Sequence, residues 1–258
     1  MKIRVLGCHG SSLPGYNTTS FLINGNVLLD GGTITSVLTV EEQSKLEYIL
    51  VTHAHFDHIR DIMFLADNLC SLGKERPLTV LSTPRIIETL KHNLFNDAVW
   101  PDFTALPTSD NPVLKFVAIH PGHNISISSL KVTAIKVHHA VETVAYVIEA
   151  GDVSAVFIGD TGPTEEIWQA AGTKAGLEAI FVETSLPDGM QELADKAGHL
   201  TPASLEQELK KLGGLKVPIY LYHMKIQHRE VIKKEIARLR DNSIHTLEDG
   251  QILQIGAL

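Results

Sequence analysis

An α/β fold is predicted by three features of the 258-residue sequence. Its apolar runs are short and bounded by Gly, Pro, Asn or Asp. Segments with helical apolar spacing fall between them, and no fixed-period repeat, low-complexity tract or linker interrupts the series. With 44% hydrophobic and 20% charged residues, a chain this long buries roughly 70–75% of its unfolded surface, enough for one domain spanning 1–258 without disulfide or metal staples.

The elements follow in order. Ser20–Asp30 reads SFLINGNVLLD, two β-rich runs around Asn24-Gly25, residues that tolerate positive φ, so an antiparallel hairpin is expected. From Glu47 the run EYILV forms a strand ending at Thr52. A polar loop, His53–His58, then enters a helix over Ile59–Leu72, whose apolar stripe is read as Ile59, Met63, Ala66 and Cys70. Leu78–Ser82 is a strand and Pro84–Leu94 a helix, with Pro84 near the start, where its missing N–H costs nothing. Leu130–Val137, Ala145–Ala150 and Ala155–Ile158 are strands, the last running into Gly159-Asp160. Ala179–Val182 is another, stopping at Glu183. Thr201-Pro202 caps a helix with Leu205, Leu209 and Leu212 on one face, Ile219–Tyr222 is a strand ending at His223, and Val231–Leu239 is the final helix.

Charge and cysteine content narrow the function classes. Lys and Arg total 22 against 30 Asp and Glu, a net charge of −8, which argues against a nucleic-acid partner. The two cysteines, Cys8 and Cys70, make no disulfide framework, and the opening MKIRVLGCHG lacks the pattern of a secretory leader. No run approaches the ~20 apolar residues of a membrane span. A cytoplasmic location is expected. The feature that stands out is 13 histidines.

Thr52–Arg60 reads THAHFDHIR and concentrates His53, His55, Asp57 and His58 just after a strand. Imidazole nitrogen with carboxylate oxygen suits Zn²⁺, Mn²⁺ or Fe and is too nitrogen-rich for Ca²⁺ or Mg²⁺. One tetrahedral ion cannot take all four comfortably, whereas two neighbouring ions can share them, His53 and His55 on one, Asp57 and His58 on the other. A histidine-rich solvated loop is the plainer alternative, and the placement at a strand end stands against it.

HAHFDH after a buried strand resembles the HxHxDH signature of the metallo-β-lactamase fold hydrolases. The resemblance implies a four-layer αββα sandwich with two divalent ions, Zn²⁺ first and Mn²⁺ or Fe as alternatives, at the edge between the sheets. It also implies further ligands at later strand ends. His139 fits the next, because Tyr146 follows seven residues on, with His138 as the alternative; Asp160 in VFIGDTG fits a bridging carboxylate, and His223 in YLYHMK fits the last ligand. Asp30 in LLDGG matches a strand-end aspartate that supports the metal loop from behind. The implied arrangement places His53, His55 and His139 on one ion and Asp57, His58 and His223 on the other, bridged by Asp160 and a hydroxide.

His199, in GHLTP ahead of the capped helix, resembles a histidine of the phosphodiesterase and ribonuclease Z branches. There it is thought to protonate the leaving oxygen, a task suited to a group with a pKa near neutrality. Catalytic roles are therefore assigned to Asp57 and His199. His92–Leu106, HNLFNDAVWPDFTAL, is similar to a segment of class II cyclic-nucleotide phosphodiesterases. Phe95, Trp100 and Phe103 are expected to cap a purine, and Asn96, Asp97 or Asp102 to bond base or ribose edges. The alternative is that Trp100-Pro101 anchors a surface loop to the core. The resemblance covers most of 1–223. It departs from that class at Phe56, usually Leu, and at Asp61, usually a small residue.

The expected activity is hydrolysis of 3′,5′-cyclic nucleotides or a similar small phosphodiester to 5′-nucleotides. A ribonuclease Z-like endonuclease is the main rival, but the stretch between His139 and Asp160 leaves no room for a tRNA-holding arm. Lactonase or thioesterase chemistry and a non-catalytic binding module are further alternatives. Dimerisation is common in similar hydrolases, so a homodimer is carried as an analogy. His9, His92, His120, His123, His228 and His245 are read as surface residues, and Cys8 and Cys70 as inert thiols or small apolar residues.

Overall fold

The computed structural model describes residues 1–256. Its first half runs β1 (Lys2–Gly7), β2 (Ser20–Ile23), β3 (Val27–Leu29), α1 (Val40–Ser44), β4 (Tyr48–Leu50), α2 (Phe56–Ser71), β5 (Leu78–Ser82), α3 (Pro84–Asn93), β6 (Pro107–Thr108), β7 (Asn111–Pro112) and β8 (Leu114–Ala118). The second half runs β9 (Asn124–Ile127), β10 (Leu130–Lys136), β11 (Val144–Ala150), β12 (Val153–Phe157), α4 (Glu166–Gly172), β13 (Leu177–Glu183), α5 (Gln191–Ala197), α6 (Pro202–Leu209), β14 (Ile219–Tyr222), α7 (Arg229–Arg238), β15 (Ile244–Thr246) and β16 (Ile252–Gln254).

Two seven-stranded sheets result, in the orders β16-β1-β2-β3-β4-β5-β8 and β15-β14-β13-β12-β11-β10-β9. Side chains alternate across a strand, and both sheets use the alternation to bury two faces. Phe21 and Ile23 of β2 point between the sheets, where Phe21 meets Phe157 at 5.6 Å and Tyr222 at 5.3 Å between ring centroids. Leu22 and Leu28 point outwards onto Ile62, Leu65 and Leu69 of α2. On the far side, Val156, Ile180 and Leu221 cover Trp168, Leu205 and Ile232 from α4, α6 and α7. The architecture is an αββα sandwich.

The expected hairpin is present. Phe21, Leu22 and Ile23 pair with Leu29, Leu28 and Val27, and the turn holds Asn24 at φ +50° and Gly25 at φ +84°. Beyond it the first sheet turns parallel through β3, β4, β5 and β8. This stacks the C-terminal ends of successive strands along one edge, as β12, β13 and β14 do in the second sheet. No helix among the described residues is long and apolar enough to cross a membrane.

Two sequence expectations are corrected here. The buried stripe of α2 is Ile59, Ile62, Leu65, Ala66 and Leu69, with Met63 and Cys70 at its border. The helix is rotated so that His58 is buried and Asp61 accepts the Ile34 and Thr35 amides at 2.5 and 2.6 Å. The aromatic segment does not form a purine cap. Phe95 and Phe103 are 3% and 2% exposed within the α2–α3 core, and the Trp100 indole donates to the Met63 carbonyl at 3.1 Å. Asn96, Asp97 and Asp102 accept backbone N–H groups of their own loop. Trp100-Pro101 is a loop anchor.

Leu65 is fully buried at the centre of the helix–sheet layer. Leu65→Ala is expected to lower stability by about 2–5 kcal/mol, read as an earlier urea midpoint at unchanged slope.

Candidate metal centre

The site forms where loops leave the strand ends. β4 delivers His53 directly after Thr52; the chain then turns into α2 just after His55, whose side chain makes no capping bond, which puts Asp57 in the first turn and buries His58. A carboxylate suits that position because the helix dipole favours negative charge at an N-terminus. His139 comes from the β10–β11 connection, Asp160 from beyond β12, and His223 follows β14 at φ +65°. Gly32 must be glycine, since a Cβ there would lie 1.9 Å from the Asp57 carbonyl oxygen.

These seven side chains, scattered from residue 53 to 223, converge. Donor atoms of His53, His55, His139 and Asp160 lie within 4.8 Å of one another, as do those of Asp57, His58 and His223, and those of Asp160, His199 and His223. His58 Nε2 faces His223 Nε2 at 3.1 Å, His223 Nε2 faces Asp57 Oδ2 at 3.1 Å, and His139 Nε2 faces His55 Nδ1 at 3.3 Å. Asp160 sits between the groups, 3.4 Å from His58 Nε2, 3.3 Å from His223 Nε2 and 3.7 Å from His53 Nε2.

The residues behind fix which ring atoms face inwards. His58 Nδ1 donates to Asp30 at 2.7 Å, and His139 Nδ1 donates to the Gly198 carbonyl at 2.8 Å. His53 Nδ1 donates to Thr52 Oγ1 at 3.0 Å, and that hydroxyl donates to Asp30 at 2.8 Å. His223 Nδ1 donates to Ser185 Oγ at 2.8 Å, which donates to Glu183 Oε2 at 2.7 Å. With Nδ1–H spent on these acceptors, the Nε2 lone pairs point at one another and at carboxylate oxygens. His53 Nε2 and Asp160 Oδ1 are fully buried with no hydrogen-bond partner. Such orphaned lone pairs cost free energy unless a cation takes them. The residues present therefore fit divalent metal ions bound by nitrogen and oxygen.

Electrostatics agree. Burial opposes ionisation of Asp160, and the surrounding His223, His58 and His53 rings overcome it, holding the carboxyl well below the usual range. Asp57 is likewise held low against burial by the His223 hydrogen bond and the His58 and His223 charges. Burial pushes His53 well down, keeping that ring neutral with its lone pair free.

The sequence singled out every one of these positions, and His139 rather than His138 faces the cluster, the latter being exposed. It overlooked Glu183, whose carboxylate accepts from His199 Nδ1 at 2.6 Å, and Ser185. Burial would push His199 down, but Glu183 beside it raises the ring to about 9. A charged residue ending the apolar run AIFVE was the available signal. Arg85 was also overlooked. A cleft of about 570 Å³ opens beside His55 and His139, walled by Arg85 and Thr89 of α3, Lys136, and the His138–Thr143 loop. His9 is the correction among the remaining histidines: it is 3% exposed, not a surface residue.

Asp30→Asn keeps the shape of the residue but removes the charge that orients His58 and, through Thr52, His53. Metal affinity is expected to fall about 10–100-fold, measured by competition with a chromogenic chelator.

A Schizosaccharomyces pombe 3′,5′-cyclic-nucleotide phosphodiesterase is 26% identical over 183 residues, covering 65% of this chain and 51% of that protein. The chain thus spans about half the length of the curated relatives it matches. Unliganded yeast PDE1 superposes with a TM-score of 0.83 at 19% identity, covering 97% of this chain and 98% of that one. The metallo-beta-lactamase fold protein YhfI from Bacillus subtilis superposes at 0.78 and 20% identity, covering 98% and 99%. At these identities the superpositions establish the fold alone. The family model described as "Beta-lactamase superfamily domain" matches residues 27–224, from the supporting Asp30 loop to the last histidine of the cluster, and the chain belongs to that superfamily.

Proposed function

We propose that this chain is a metal-dependent phosphodiesterase that hydrolyses 3′,5′-cyclic nucleotides of the cAMP type to 5′-nucleotides, with residues 1–258 acting as one hydrolase domain. The observation that carries it is the Glu183–His199 pair at the edge of the metal cluster. Hydrolysis of a phosphodiester expels a poor leaving group, an alkoxide, which needs a proton. His199 Nδ1 is tied to Glu183 and the ring is held protonated at neutral pH, so Nε2 is the atom that delivers a proton to the departing 3′-oxygen. The phosphodiesterase activity named for the Schizosaccharomyces pombe relative supports the same reading.

The ligands are His53, His55 and His139 on one side and Asp57, His58 and His223 on the other, with Asp160 shared between them. Two ions held there, Zn²⁺ or alternatively Mn²⁺ or Fe, would supply an activated water and positive charge against the phosphoryl oxygens. The chain's own residues do the rest. His55, His139 and Asp57 are the partly exposed members of the set, so the substrate phosphate approaches from their side. The cleft beside them offers the exposed cations Arg85 and Lys136 to an anionic nucleotide, while Glu142 is occupied by the Thr83 hydroxyl. A ribonuclease Z-like role is disfavoured, because β11 and β12 form a tight hairpin between His139 and Asp160 and leave no arm for tRNA.

Three outcomes test the reading. Metal-loaded protein is expected to convert 3′,5′-cAMP to 5′-AMP rather than 3′-AMP, resolved by chromatography, with the double variant Asp57→Ala/His58→Ala inactive. Activity on a chromogenic diester without turnover of any cyclic nucleotide would discard the substrate. His199→Ala is expected to lose about 10²–10⁴-fold in cyclic-nucleotide turnover and little on an ester whose leaving group needs no proton; equal losses on both would remove the proton-donor role. Arg85→Ala is expected to raise KM several-fold with kcat little changed.

A further inference from the structure

The end of β1 holds a second constellation that the proposed chemistry does not use. Cys8, His9 and Asp249 bring Sγ, an imidazole nitrogen and a carboxylate oxygen within 4.8 Å of one another. The separations are 3.3 Å for Sγ–Oδ1, 3.8 Å for Sγ–Nε2 and 3.5 Å for Nε2–Oδ1. A tetrahedral ion with bonds of about 2.3 Å to sulfur and about 2.0–2.2 Å to nitrogen and oxygen sets edges of about 3.6 Å from sulfur and about 3.4 Å between nitrogen and oxygen. All three observed edges match to within about 0.3 Å, so the donors already stand where one ion would hold them.

His9 is 3% exposed, and it is its Nε2 that faces both Cys8 Sγ and Asp249 Oδ1. Tyr16 packs edge-on against the ring at 5.0 Å and holds its orientation. Asp249 is pre-placed by the Cys8 and Asn17 amides, which donate to its two oxygens at 3.0 and 2.8 Å. Its side chain is 18% exposed, which gives an access path. The neighbouring Glu248 is engaged by Arg229 and Lys233 and does not compete.

We propose that Cys8, His9 and Asp249 form a structural cation site of the Zn²⁺ class, separate from the histidine cluster. Binding turns the Cys8 thiol into a thiolate and releases its proton to solvent. The ion clasps the end of β1 to the turn before β16. The Cys8 carbonyl accepts the His223 amide at 2.7 Å, so the clasp also braces the strand end that carries His223.

Cobalt substitution separates this site from the other, because the proposed catalytic ligands include no thiolate and the chain has only two cysteines, Cys8 and Cys70. Protein saturated with Co²⁺ is expected to show a near-ultraviolet thiolate-to-cobalt charge-transfer band. The band should persist in Cys70→Ser, vanish in Cys8→Ser together with one equivalent of bound cobalt, and require at least about tenfold more cobalt in His9→Gln. Visible d–d bands with no charge-transfer band in the unmodified protein would overturn the site, whatever the variants do. A band that survives Cys8→Ser would assign it to Cys70 and overturn it equally.

Discussion

The Asp30 carboxylate is the interaction on which the rest of the centre leans. It is fully buried and holds φ +57° at the end of β3, a conformation and a burial that are both costly for an aspartate. Three donors offset the cost: the Thr52 amide and hydroxyl, each at 2.8 Å, and His58 Nδ1 at 2.7 Å. These bonds tie the ends of β3 and β4 to the first turn of α2. The geometry of the HAHFDH loop therefore comes from a residue more than twenty positions upstream.

The same logic recurs on the opposite sheet. Glu183, fully buried at the end of β13, accepts from His199 Nδ1, from Ser185 Oγ and from the Thr161 amide. It holds the ring of His199 and, through Ser185, that of His223, so one carboxylate organises the expected proton donor and a proposed ligand together. Asp30 and Glu183 are thus counterparts: each is a desolvated anion behind the cluster, each converts imidazole Nδ1–H groups into fixed donors, and each leaves Nε2 facing inwards. The innermost groups are sealed by the sandwich, whereas His55, Asp57 and His139 stay partly open beside the cleft. Solvent access and burial are divided between the two sides of one cluster.

Much of this was legible in the chain. The hairpin was written in Asn24-Gly25, because few other residue pairs tolerate its backbone. The proposed ligands were marked by polar residues that end apolar strands, where a side chain is costly unless it has work to do. What failed was inference about neighbours. Phe95, Trp100 and Phe103 looked like an aromatic platform, yet the α2–α3 layer needed their area to complete its core. Met63 and Cys70 looked like core positions until the Asp61 bonds to Ile34 and Thr35 set the rotation of α2. His9 looked like a surface residue because nothing in MKIRVLGCHG reveals that Asp249 and Tyr16 will close over it.

By itself the sequence determined the hairpin, the strands that end at the cluster, the residue types at those strand ends and the spacing within HAHFDH, since these follow from local backbone preferences and from side-chain chemistry carried on a few adjacent residues; the first strand, the edge strands and three of the helices carried too weak a local pattern to be read. Only the tertiary structure decided which ring nitrogens face inwards, that Glu183 and Ser185 stand behind His199 and His223, and that Cys8 and His9 meet Asp249. Those are contacts between residues tens to hundreds of positions apart, fixed by how two twisted sheets pack face to face, and no local pattern encodes that register.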